Sequence, residues 1–215
     1  MTPRALLFDF NGTLSDDEPL LYTIFADLFA AYGRPLSSQE YFDQLAGLSD
    51  PEIVRTWLGR DHPAVEEVIE QRVLRYRAAV TDGSTVPGRV REAVRLAAAR
   101  VPVGVVSGAA RAEIDPVLAA AGLADLFTTI VSAEDVERGK PDPEGYLLAL
   151  RRLDGMRAGE VLVLEDTEAG IAAAKGAGMR CVGVLGTLAA ERLAAADELV
   201  PELGPALIER VLATR

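Results

Sequence analysis

RALLFDFNGTLSDDE, residues 4–18, is the stretch from which the rest of the chain can be read. Its first half, Arg4 to Phe10, is a short apolar run of the kind that forms a strand buried on both faces. Its second half changes character at once. Asp9, Asn11, Gly12 and Thr13 put a carboxylate, an amide, a flexible joint and a hydroxyl where the strand ends. In open parallel sheets a ligand sits beyond the carboxyl ends of the strands, where loops from neighbouring strands meet. The stretch therefore predicts an α/β protein with its chemistry at this edge.

Four further Val- and Leu-rich runs read as buried strands: Val101 to Val106, Thr129 to Ser132, Val161 to Leu164 and Cys181 to Leu185. Helical stretches alternate with them, at Val90 to Ala99, Arg111 to Ala121, Gly145 to Leu153 and Ala169 to Gly176. Strand, helix, strand in repetition gives a doubly wound parallel sheet of the Rossmann-like kind. The gap between Phe10 and Val101 is too long for one crossover helix, and its pattern is helical, broken at Gly33-Arg34-Pro35, at Gly47-Leu48-Ser49 and from Gly59 to Pro63. Residues 16–81 are therefore expected to form an inserted α-helical cap domain, with 1–15 and 82–215 forming the core.

Composition agrees with that plan. Of 215 residues 49% are apolar but only 6% aromatic, so Ala, Leu and Val must fill the core, as in helix-covered sheets. The net charge of −11 disfavours a broad footprint for nucleic acid or an anionic membrane and leaves room only for a local anion pocket. One cysteine, Cys181, excludes an intramolecular disulfide, and one histidine, His62, excludes a His-rich metal cluster. With no apolar run long enough for a signal peptide or a membrane span, a cytoplasmic protein, monomer or dimer, is expected.

The polar residues at the other strand ends are equally distinctive: Ser107-Gly108 after the second, Gly139-Lys140-Pro141 in a loop after the third, and Glu165-Asp166 after the fourth. Each has a plain structural reading as a cap, a turn or a solvated charge. Four of them in order at strand ends point to one site. FDFNGTLSD, VVSG, GKPDPEGY and LEDTEAGIAAAKGAGM resemble the four successive signatures of the haloacid dehalogenase-like superfamily, and the last two strings are the most specific. The resemblance implies that Asp9 is a nucleophile forming an aspartyl-phosphate, which splits hydrolysis into two easier steps. It implies a Mg²⁺ ion held by Asp9, Glu165, Asp166 and the backbone carbonyl of Asn11, a metal suited to oxygen ligands. It implies that Thr13, Ser107 and Gly108 bind the phosphoryl oxygens and that Lys140 neutralises charge between Asp9 and the phosphate.

One position departs from that pattern. Superfamily phosphatases usually carry a second aspartate two residues after the nucleophile as acid and base, and here Asn11 stands there. An amide cannot shuttle a proton at neutral pH, so turnover is expected to be weakened unless a nearby carboxylate such as Asp16, Asp17 or Glu18 takes over. No lysine lies between Asp16 and Thr81, which argues against the Schiff-base chemistry of phosphonate-cleaving relatives, and the Glu165-Asp166 pair argues against dehalogenation. The cap resembles that of β-phosphoglucomutase and phosphoglycolate phosphatase-like proteins. The expectation is a phosphatase of a small phosphorylated metabolite, with a phosphomutase and a non-catalytic phospholigand-binding protein as alternatives. Arg55 reads as a surface residue, and Trp57, Tyr22 and Tyr41 as packing in a small core.

Overall fold

A computed structural model describes residues 2–213. Six strands, β1 (Ala5–Phe8), β2 (Val103–Val106), β3 (Thr129–Val131), β4 (Val161–Glu165), β5 (Arg180–Val184) and β6 (Glu198–Val200), form one sheet in the order β3-β2-β1-β4-β5-β6. Every neighbouring pair is parallel. β1, β2 and β4 are buried along their whole length, as apolar runs covered on both faces require, with Glu165 the one charged residue, at the end of β4. The strand order reverses between β1 and β4, which opens the crevice in which such sheets bind ligands. Register sets what meets there. Phe8 pairs with Val105 on one side and Leu164 on the other, so Asp9, Val106 and Glu165 leave the sheet together.

The connecting helices are α5 (Gly88–Ala98), α6 (Arg111–Ala120), α7 (Glu144–Arg152), α8 (Glu168–Gly176) and α9 (Pro205–Leu212). The sixth strand and α9 are additions to the sequence reading. β6 has three residues, Glu198-Leu199-Val200, of which only Val200 is buried. With one buried residue, β6 lacks the apolar run by which the equally short edge strand β3 could be read.

Four helices lie between β1 and α5: α1 (Glu18–Ala31), α2 (Ser38–Glu40), α3 (Asp50–Leu58) and α4 (Val65–Ala79). α2 runs directly into a wider π-helical turn at Tyr41–Leu45. All three expected breaks fall between helices, and Gly33, Gly47 and Gly59 there have φ of 69°, 86° and 116°, values that an L side chain resists. Ser37 and Ser49 start α2 and α3 with capping boxes closed by Glu40 and Glu52. Phe25, Phe29, Tyr41 and Trp57 pack among themselves inside this insertion, and the Trp57 indole N–H donates to the Arg34 carbonyl at 2.9 Å. No helix among the described residues is long and apolar enough to cross a membrane.

Candidate active site

Asp9 stands at the end of β1 on the floor of a cavity of about 690 Å³ between the insertion and the sheet edge. Asn11, Ser107, Gly108 and Lys140 line the same cavity. The Lys140 ammonium donates to Asp9 Oδ1 at 2.5 Å, to Glu165 Oε1 at 2.5 Å and to the Val106 carbonyl at 2.9 Å. Burial works against that ammonium, yet Asp9 and Glu165 outweigh it and hold its pKa above the ordinary lysine value.

Glu165 is fully buried and engaged at both oxygens. Oε1 accepts from Lys140 and from the Tyr146 hydroxyl at 3.1 Å, and Oε2 accepts from the Asp166 and Thr167 amides and the Thr167 hydroxyl at 3.0–3.1 Å. Its cradle is formed by Gly170, where a Cβ would stand 1.7 Å from Oε1.

Asp166 is the complement. Its Oδ1 accepts from Thr13 at 2.9 Å, but its Oδ2 is buried with no partner. Asp9, Glu165 and Asp166 each offer an oxygen within 4.8 Å of the others, three carboxylates against one ammonium. Burial pushes Asp166 and Asp9 upward, and each feels its carboxylate neighbours as well. A buried anionic cluster with an orphaned oxygen fits a hard divalent cation held by oxygen ligands. Gly12 leaves the space in front of it: with φ of 77°, a Cβ there would come within 1.9 Å of Asp166 Oδ2.

Of the expected residues, Asp9, Asn11, Ser107, Gly108 and Lys140 line the large cavity, while Glu165 and Asp166 cluster with Asp9 without bordering it. Thr13 does not line the large cavity; its hydroxyl is committed to Asp166, and it borders a smaller pocket of about 330 Å³ on the other side of the loop. Ser107 accepts from the Ala109 amide at 3.0 Å and keeps its hydroxyl proton free to donate towards the cavity. Gly108 is exposed, and a Cβ there would meet nothing within 4 Å. Asn11 donates through Nδ2 to Asp17 Oδ2 at 2.9 Å.

A family model described as haloacid dehalogenase-like hydrolase matches residues 6–184. The chain belongs to that family. It is 36% identical over 216 residues to validoxylamine A 7'-phosphate phosphatase of Streptomyces hygroscopicus subsp. limoneus, covering 93% of this chain and 94% of that protein. It is 31% identical to the phosphoglycolate phosphatase of Yersinia pseudotuberculosis, over 84% of this chain and 80% of the relative. Among solved structures, CbbY from Rhodobacter sphaeroides in complex with phosphate superposes with a TM-score of 0.81 at 27% identity, over 94% of this chain and 95% of that one.

This haloacid dehalogenase-like hydrolase also holds polar residues that the sequence reading passed over. Arg72 of α4 is buried, ion-paired to Glu113 of α6 and to Asp50 at the start of α3 at 3.2 Å, with its guanidinium over the Tyr76 ring. Tyr76 in turn donates to Asp17, the acceptor of Asn11. A chain of polar contacts thus runs from the site floor into α4 and on to the core helix α6. Val65, Val68, Arg72 and Tyr76 form the buried stripe of α4, so a charge on an otherwise apolar stripe was the clue to Arg72. Arg55, expected on the surface, is exposed but borders the large cavity. Tyr41 is both core and site: it packs against Phe25 and its hydroxyl donates to Glu18 at 3.0 Å.

Proposed function

We propose that the chain is a phosphatase of small phosphorylated metabolites, acting through an aspartyl-phosphate on Asp9 and requiring Mg²⁺. The observation that carries this reading is the buried Asp9–Lys140 pair lining a ligand-sized cavity, with Asp166, whose Oδ2 has no partner, clustered beside Asp9. Lys140 screens Asp9 from its carboxylate neighbours and faces the incoming phosphoryl charge. Ser107 and the amides around Gly108 donate to the phosphoryl oxygens. Asp9, Asp166 and the backbone carbonyl of Asn11 would hold the metal, with Glu165 at its edge. Bound there, Mg²⁺ supplies positive charge to the transferring group and aligns it with the carboxylate.

The engaged state of Glu165 favours a positioning part for this residue: it fixes Lys140 more than it offers lone pairs to a ligand. Residues 16–81 serve as a cap that roofs the cavity and selects the substrate. Arg72 is already matched by Asp50 and Glu113, so within the roof Arg55 is the cation left to meet a second anionic group. That favours substrates such as a phosphorylated carboxylic acid or a phosphorylated polyol, in line with the phosphatase names of the relatives. The presence of Arg55 also keeps a phosphomutase as the second reading.

Phosphate release from a panel of small phosphate esters tests the proposal. Turnover is expected with Mg²⁺, to be lost on adding EDTA, and to fall by at least about 10³-fold in Asp9→Asn. Release that is indifferent to both changes would exclude the reading, and isomerised sugar phosphate without net release would favour the mutase.

A further inference from the structure

Three carboxylates, Asp16, Asp17 and Glu18, follow the site loop in sequence and are the nearest candidates in the chain for the proton chemistry that Asn11 lacks. The fold separates them. Asp16 is exposed and borders the smaller pocket, not the large cavity, with its backbone amide donating to the Thr85 carbonyl at 2.7 Å. Asp17 is fully buried and borders neither cavity: the Asn11 amide and the Tyr76 hydroxyl both donate to Oδ2, and Oδ1 is enclosed without a partner. Glu18, the first residue of α1, borders the cavity that Asp9 and Asn11 line. Tyr41 donates to its Oε2 alone, so Oε1 has no hydrogen-bond partner among the described residues, and of the three carboxylates Glu18 alone borders the large cavity.

We propose that Glu18 is the acid and base of this enzyme, taking over the proton transfers that an aspartate at position 11 would perform. The inference rests on the phosphatase reading given above. In the first step an Asp9 oxygen bonds to phosphorus, the bond from phosphorus to the ester oxygen breaks, and its electron pair takes the Glu18 proton, releasing the alcohol. In the second, water bonds to phosphorus as its proton passes to the Glu18 carboxylate, and the bond from phosphorus to Asp9 breaks. Inorganic phosphate leaves, and both carboxyl groups are back in their starting states.

The surroundings suit that cycle. Burial, first, and then the charge of Asp17 push Glu18 up to about 7, with Asp9 adding to the effect, while the Tyr41 hydroxyl and Arg72 oppose it. A group that titrates near neutrality is able to give and to take a proton at working pH. Since the first step needs the protonated form, kcat/KM is expected to fall as pH rises through about 7.

Glu18→Gln keeps the shape of the side chain and an acceptor for Tyr41 while removing the proton. For an alkyl phosphate, kcat/KM is expected to drop about 10²–10⁴-fold, for an aryl phosphate with a good leaving group far less, and the alkaline limb of the profile is expected to vanish. Adding Asn11→Asp to Glu18→Gln is expected to restore alkyl phosphate turnover, which a purely structural part for Glu18 would not allow. Equal losses on both esters with an unchanged pH profile and no rescue would overturn the assignment of Glu18 while leaving Asp9 chemistry standing. Absence of Asp9-dependent turnover in the parent enzyme would instead remove both readings.

Discussion

Gly170 looks like an ordinary residue of α8, yet its missing side chain decides where Glu165 can lie. An added Cβ would fall 1.7 Å from Oε1 and 2.2 Å from Oε2, inside any allowed contact. Ala would raise helix propensity by about 1 kcal/mol over Gly, but hydrogen bonds to a buried charged group are worth about 1.5–3 kcal/mol each, and Glu165 makes several. The loss should win. Gly170→Ala is expected to destabilise the protein by about 1–3 kcal/mol in urea titration and to lower phosphatase turnover through a displaced Lys140. Gly88→Ala, at a helical position where a Cβ meets nothing within 4 Å, is the matched control and should leave turnover unchanged without lowering stability. At this scale the sequence was legible for Asp9, Lys140 and Asp166, whose identities and spacing announce them. It was not legible for Thr13, because whether a hydroxyl faces a ligand or a neighbouring carboxylate depends on a contact 153 residues away in the chain.

At the scale of elements, α4 is joined to α6 through Arg72 and Glu113, both nearly inaccessible to solvent, with side-chain exposures of 4% and 2%. Removing one member of a buried pair leaves the other charge without a partner, which commonly costs about 3–5 kcal/mol, whereas the intact pair adds little net stability. Arg72→Met is expected to lose that amount in denaturant unfolding, because Glu113 and Asp50 are both left unmatched. Glu113→Gln should lose less, since Asp50 still answers the guanidinium at 3.2 Å. Equal losses from the two changes would mean that Asp50 carries no part of the compensation. The elements themselves were largely readable: strands β1 to β5 and the helix breaks follow from apolar runs and from glycines that need positive φ. What periodicity could not supply is the partner across a helix pair, since Arg72 and Glu113 belong to segments 41 residues apart.

For the whole molecule, the buried carboxylates make stability depend on pH in a defined direction. Burial raises Asp17 from 3.8 to about 6 and Glu18 from 4.5 to about 7. Both therefore bind more protons in the folded than in the unfolded state across this range, so stability is greatest below the unfolded values and is lost as pH rises through about 6 to 7. Each unit of displacement corresponds to about 1.4 kcal/mol. Metal-free protein is expected to unfold at lower urea concentration at pH 7.5 than at pH 5, and Glu18→Gln should flatten that slope. A midpoint that climbs with pH in the parent protein would contradict the assignment of these groups as buried and costly to ionise. Carboxylates held low by hydrogen bonds, such as Asp135 and Glu160 at about 2, do not interfere, because they are ionised in both states over this window.

The chain has a single tryptophan, and it lies in α3 with its indole tied to Arg34 and stacked near Phe29. Its emission consequently reports on the insertion and not on the sheet, whereas far-ultraviolet circular dichroism reports on both. One sample thus carries two independent optical probes. Transitions that coincide would describe a single cooperative unit, and an earlier fluorescence change would give the free energy at which the roof lets go while the strands beneath it hold.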